Sequence, residues 1–118
     1  MSKLDLTLIR ETLINEQVTL ADDIQTEENK LQQFQFVEEN PDQFDLANKR
    51  QQQELVVHQL NHMNQHLRQV QAALKRLGEG LYGICARCGN DINPERLKAI
   101  PYTTLCVNCQ ERFERANR

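Results

Sequence analysis

Four cysteines stand in this chain as Cys85-x2-Cys88 and Cys106-x2-Cys109, with seventeen residues between the pairs and no other cysteine anywhere. This spacing leaves the chain few options. Each C-x-x-C folds into a tight knuckle that aims two thiolates at one point, and two knuckles complete a tetrahedron around zinc. Gly89 follows the first pair directly, where a residue without Cβ lets the backbone turn back over the sulfurs. The alternative is two disulfides. Against it, Met1-Ser2-Lys3-Leu4-Asp5 builds no apolar export segment, so a cytoplasmic setting is expected, where such thiols stay reduced and hold metal. Four sulfur ligands close the coordination sphere and leave no position for substrate or activated water. One zinc ion is therefore expected, structural and not catalytic, and the chain is not expected to be an enzyme.

The rest of the sequence points to helices. Aromatic residues are 5% of the chain and Trp is absent, which argues against a large globular core. Charged residues at 26%, with only four Gly and three Pro, suit long solvated helices. No apolar run approaches the ~18 residues that span a bilayer, so no membrane role is expected. Val56, Leu60, Met63, Leu67, Val70, Leu74, Leu77 and Leu81 are spaced alternately four and three apart, an unbroken heptad stripe. Leu6, Ile9, Leu13, Leu20, Ile24, Leu31 and Phe34 form a looser stripe, interrupted by Gln17 and Glu27.

Between the stripes, Glu38-Glu39-Asn40-Pro41 offers an N-cap followed by a proline at the first position of a new helix. Because Pro41 opposes one continuous helix, the two stripes are expected to fold back as an antiparallel hairpin within one chain. Each arm would be roughly 50 Å long at a rise of about 1.5 Å per residue. The expected fold is thus mainly α. Residues 1–79 form a long helical hairpin with its tip at 40–47, and residues 80–118 form a C4 zinc-finger module with a short C-terminal helix. A monomer is expected, because the stripes satisfy each other.

The tip reads Asn40-Pro41-Asp42-Gln43-Phe44-Asp45-Leu46-Ala47. Asp42 and Asp45 fall in the first turn of a helix, where carboxylates complement the macrodipole. Phe44 and Leu46 add apolar side chains at a place expected to be exposed, which hints at docking. Residues 1–84 carry 8 Lys/Arg against 13 Asp/Glu, a net of −5. Such an arm repels nucleic-acid backbone and suits a basic protein surface. His58, His62 and His66 recur every four residues on one helix face, a spacing that suits a second metal site. Beside the heptad stripe on a polar flank, they read as solvent-facing histidines.

The stretch Gly80-x-Tyr82-Gly83-x-Cys85-x2-Cys88-Gly89-x2-Ile92-x3-Arg96-Leu97-x-Ala99-x-Pro101-x4-Cys106-x2-Cys109 resembles the zinc-finger signature of the DksA/TraR family. Asp42-x2-Asp45-x-Ala47 resembles that family's hairpin-tip motif, at a fitting distance ahead of the first cysteine. The resemblance implies a bacterial transcription regulator that binds RNA polymerase and inserts its hairpin into the secondary channel, modulating open-complex stability. It implies working carboxylates at Asp42 and Asp45, with Ala47 providing close packing, and direct sequence-specific DNA binding is not expected.

The chain departs from the family at three places. The segment that precedes the first arm in longer members is largely missing. Near the tip, Leu46 stands where an arginine is common, and Lys49-Arg50 stand where acidic or polar residues are common. Gln69, Ile100 and Gln110 stand where basic residues bind guanosine tetraphosphate, which makes a response to that nucleotide doubtful. Two alternatives remain in view. DNA-binding C4 fingers share the cysteine spacing but need a basic recognition helix, whereas Gln110-Glu111-Arg112-Phe113-Glu114-Arg115 alternates in sign. A coiled-coil adaptor capped by the zinc module is the other. Around the metal, Ile92, Leu97 and Leu105 are expected to form a small core, and Arg96 and Lys98 to face a polymerase rim.

Overall fold

The computed structural model describes residues 3–34 and 43–117. Its elements are α1 (Lys3–Gln33), α2 (Gln43–Gly78), α3 (Pro94–Ala99) and α4 (Val107–Ala116). Among the described residues the only β pairing is one antiparallel bridge between Ile84 and Asp91. The expected mainly α fold, two long helices followed by a cysteine module and a short terminal helix, is the one observed. Neither long helix comes from propensity alone; each presents an apolar stripe to the other. Asn40 and Pro41, expected to cap and open the second helix, lie outside the described residues, as does Asp42.

Contacts gather into two compact units, Val18–Leu67 and a second made of Met1–Gln17 with Arg68–Arg118. In the first, the later turns of α1 pack against the earlier turns of α2. Ile24, Val56 and Leu60 form its core, flanked by Leu31, Phe34, Met63 and Leu67. Seven side chains of the two stripes meet here, as the heptad spacing requires. Glu27 departs from the pattern: it occupies a core position at 8% exposure. Its Oε1 accepts from Lys30 Nζ at 2.9 Å, while Oε2 has no partner among the described residues. A half-satisfied buried carboxylate contributes little stability, because desolvation offsets the pairing.

In the second unit, Leu13 and Val70 are fully buried and Ala73 is 1% exposed. Leu8 and Ile9 of α1 share a groove with Pro94 and Leu97 of the cysteine module, so the first turns of α1 face that module. The stripe on α2 ends earlier than its spacing suggests. Leu81 lies beyond the helix and is 37% exposed, and Ala73 takes an unforeseen core position instead. The cause is a glycine cap. Gly80 adopts φ 76°, Leu81 N–H reaches back to Arg76 C=O at 2.8 Å, and Gly80 N–H reaches Leu77 C=O at 3.2 Å. This pair of bonds is a Schellman motif, which closes a helix and turns the chain away.

Leu13→Ala is expected to lower unfolding free energy by about 2–5 kcal/mol, as a buried leucine leaves a cavity. Glu27→Leu is expected to leave stability unchanged or raise it, since both buried oxygens vanish together. Urea denaturation followed by circular dichroism separates the two; a Glu27→Leu loss comparable to that of Leu13→Ala contradicts the account of Glu27.

Candidate functional site

The cysteine module is assembled by short-range backbone bonds. Gly83, at φ 85°, opens the first knuckle. Cys85 N–H donates to Asn90 C=O at 2.8 Å, and Gly89 N–H returns to Cys85 C=O at 3.0 Å. Gly89 itself sits at φ 76° with open space around its missing Cβ, so the turn demands its conformational freedom and not its small size. Ala86 N–H donates to Thr104 C=O at 2.8 Å and ties the first knuckle to the approach of the second. Cys106 caps α4, and Cys109 lies in that helix's first turn, so free helical N–H groups lie close to the sulfurs.

These elements bring all four Sγ atoms within 4.8 Å of one another. Cys88 Sγ and Cys106 Sγ are 3.8 Å apart, and Cys106 N–H points at Cys85 Sγ at 3.4 Å. A tetrahedron with Zn–S bonds of about 2.3 Å has edges of about 3.8 Å. The cluster therefore has the size a zinc ion requires. Cys85 and Cys109 are buried, Cys106 is half-buried and Cys88 is exposed.

The electrostatics agree with the geometry. Burial pushes the Cys85 thiol up, but backbone N–H groups of Cys88, Cys106 and Arg87, with the Cys88 side chain, outweigh it and bring it down to about 6. Cys109 moves the other way. Hydrogen bonding to Cys106, then burial, then its bonds to Cys85 and Cys88 push it up to about 12. Four sulfurs held this close accept the first negative charge readily and resist the last. A dication among them removes that resistance, and four thiolates at tetrahedral spacing are the donor set that selects zinc. The zinc is structural, held by Cys85, Cys88, Cys106 and Cys109.

Around the sulfurs, Ile92 and Leu97 are buried with Cys85 and Cys109, and Leu105 and Tyr82 pack against them. The expected small core is present. Several polar braces were not foreseen from sequence. Tyr82 donates its hydroxyl to Pro101 C=O at 2.8 Å, and burial raises its pKa. Arg76 of α2 donates to Ile84 C=O at 2.9 Å, and Thr103 Oγ1 donates to Leu105 C=O at 2.9 Å. Arg96, expected to face a partner, instead donates through Nε to Leu105 C=O at 3.2 Å. Lys98 is solvated and lies 3.6 Å from Glu95. The signal for Tyr82 lay in the motif itself, since Tyr82 and Pro101 are both signature positions; Arg76 carried none.

Of the tip residues, Asp42 lies outside the described residues. Asp45 lies in the first turn of α2 and is exposed, as are Leu46 and Ala47.

A pair of long helices carrying a closed tetrathiolate module defines a class of zinc-stabilised helical-hairpin proteins. Residues 80–115 match the model of the prokaryotic dksA/traR C4-type zinc finger. The chain is 43% identical over 49 residues to the RNA polymerase-binding transcription factor DksA of Caulobacter vibrioides, covering 42% of this chain and 34% of that protein. It is 40% identical over 48 residues to General stress protein 16O of Bacillus subtilis, covering 41% and 29%. The matches span about a third of the length of these curated relatives. Among solved structures, transcription factor DksA2 from Pseudomonas aeruginosa superimposes with a TM-score of 0.78 at 29% identity, covering 100% of this chain and 89% of that one. DnaK suppressor protein from Agrobacterium tumefaciens superimposes with a TM-score of 0.62 at 30% identity, covering 94% and 96%. This chain belongs to the DksA/TraR family.

Stripping the metal with a strong chelator is expected to unfold residues 80–117, because a module this small draws its folding energy from the ion. Fluorescence of Tyr82 and Tyr102, both within the module, and amide exchange report that loss. If both stay unchanged while zinc is shown to leave, the metal is not what holds the module.

Proposed function

We propose that this protein is a bacterial transcription regulator that binds RNA polymerase, places its hairpin tip in the secondary channel and alters the stability of open promoter complexes. The observation that carries this reading is the similarity of the whole chain to transcription factor DksA2. The polymerase-binding name of the Caulobacter relative supports it over the matched segment.

The physical chemistry is consistent. The closed zinc site offers no open position for a substrate, which suits a protein that acts by binding. Among the described residues no helix is long and apolar enough to cross a membrane. We place the protein in the cytoplasm, as a monomer, without sequence-specific DNA binding of its own. Residues 1–84, with their net charge of −5, can be steered toward a basic channel. Asp45, at the exposed start of α2, would contact mobile parts of the catalytic centre together with Asp42. Their effect is a shift among polymerase states by differential affinity. Ala47, two residues after Asp45, would allow close approach.

The expected outcome is that the protein co-elutes with bacterial RNA polymerase and changes the lifetime of open complexes on a ribosomal RNA promoter. The Asp42→Asn/Asp45→Asn double variant should still bind but leave that lifetime unaltered. Failure to bind polymerase overturns the reading altogether. Binding with a fully active double variant overturns only the assignment of the carboxylates.

The nucleotide response is expected to be absent. Gln69, Ile100 and Gln110 carry no charge, and Gln110 Nε2 already donates to Glu114 Oε1 at 3.2 Å. A polyphosphate site without cations loses its charge-assisted bonds. Isothermal titration of guanosine tetraphosphate should give the same affinity for polymerase with and without this protein; tighter binding to the complex refutes this.

A further inference from the structure

We propose that His58 and His62 form a second, exchangeable metal site on α2, suited to divalent transition ions that favour imidazole and distinct from the cysteine site. Both histidines lie within α2, which is helical without interruption from Gln43 to Gly78. Their spacing of four therefore sets them on successive turns of one face, with Cβ atoms about 5–6 Å apart. Imidazoles in that arrangement converge on one ion, the geometry used by helical i, i+4 histidine pairs that bind zinc.

The surroundings favour a cation. His58 and His62 are both exposed, so their nitrogens are open to an ion from solvent. His66, the next residue in the ladder, is half-buried and already engaged in an interaction, so it is not assigned as a ligand. Glu54 stands one turn before His58, and both line an open cleft with Arg50, Gln53, Val57 and Asn61, while His62 lies outside that lining. Solvent completes the coordination sphere at this exposed face, and Glu54, one turn before His58, can accept hydrogen bonds from metal-bound water. Between Arg50 and Arg68 the helix has no Lys or Arg, and residues 18–67 hold nine Asp/Glu against three Lys/Arg. An arriving dication is attracted and not repelled.

The donor set also selects the metal. Imidazole suits nickel, copper and zinc, whereas magnesium and calcium demand oxygen ligands. Two protein ligands leave coordination positions open, so the ion exchanges with solvent, unlike zinc enclosed by four thiolates.

The test uses the zinc-loaded full chain titrated with Ni²⁺ by calorimetry in a non-chelating buffer, with zinc content followed throughout. The expected result is one Ni²⁺ per chain with zinc retained. His58→Gln and His62→Gln should each weaken uptake ~100-fold or more, since the second imidazole binds intramolecularly. His66→Gln should leave it unchanged, and all three variants should keep the helical circular dichroism of the parent. Absence of Ni²⁺ uptake overturns the proposal, as does uptake that persists in the His58→Gln/His62→Gln double variant or that displaces zinc stoichiometrically.

Discussion

The mutual repulsion of four thiolates, and its removal by one dication, is the constraint on which the C-terminal third depends. The loops between Gly80 and Cys106 have little else to hold them: the buried hydrophobic residues of the module are Ile92 and Leu97 together with two of the ligands themselves. A core of that size cannot offset the entropy of ordering two knuckles and a six-residue helix. The metal supplies the missing free energy and, by fixing the sulfurs, also fixes the start of α4, since Cys106 is its cap and Cys109 its first turn. The rest of the module is arranged around that point by backbone bonds, with Arg76, Tyr82, Arg96 and Thr103 satisfying carbonyls that the irregular loops leave open.

The helices obey a different rule. Their stability comes from two apolar stripes that cover one another, and any position along the stripe is interchangeable in kind with its neighbours. Glu27 breaks that equivalence. A buried carboxylate with one ion-paired oxygen is poorly placed for stability, and its partner Lys30, one turn away on the same helix, stays with it in any register. The four-thiolate site and the helical stripes thus set stability by separate means, one by metal ligation and one by apolar burial.

Much of this was legible in the residues. Periodicity identified Val56, Leu60 and Val70 as core, and the cysteine spacing identified the ligands, because both signals are local and repeat at fixed intervals. Leu81 was assigned to the stripe because spacing alone cannot see the cap at Gly80, which acts through the sign of φ. Arg96 was read as a surface cation for a similar reason: nothing in its neighbours announces that Leu105 C=O will lie within reach. Ala73 was passed over because a small side chain carries little periodic signal, yet it is 1% exposed.

The sequence by itself determined the metal, its four ligands, the helical class and the acidic character of the arm. Ligand type, heptad spacing and net charge are properties of the chain that survive any folding. Tertiary structure decided where the stripe on α2 stops, which polar side chains brace the knuckles, and which histidines of the ladder face solvent. Those outcomes rest on distances between residues far apart in the chain, such as Tyr82 and Pro101, and on burial that only packing creates. A sulfur ligand is recognisable before folding; a hydrogen bond to a particular carbonyl exists only after it.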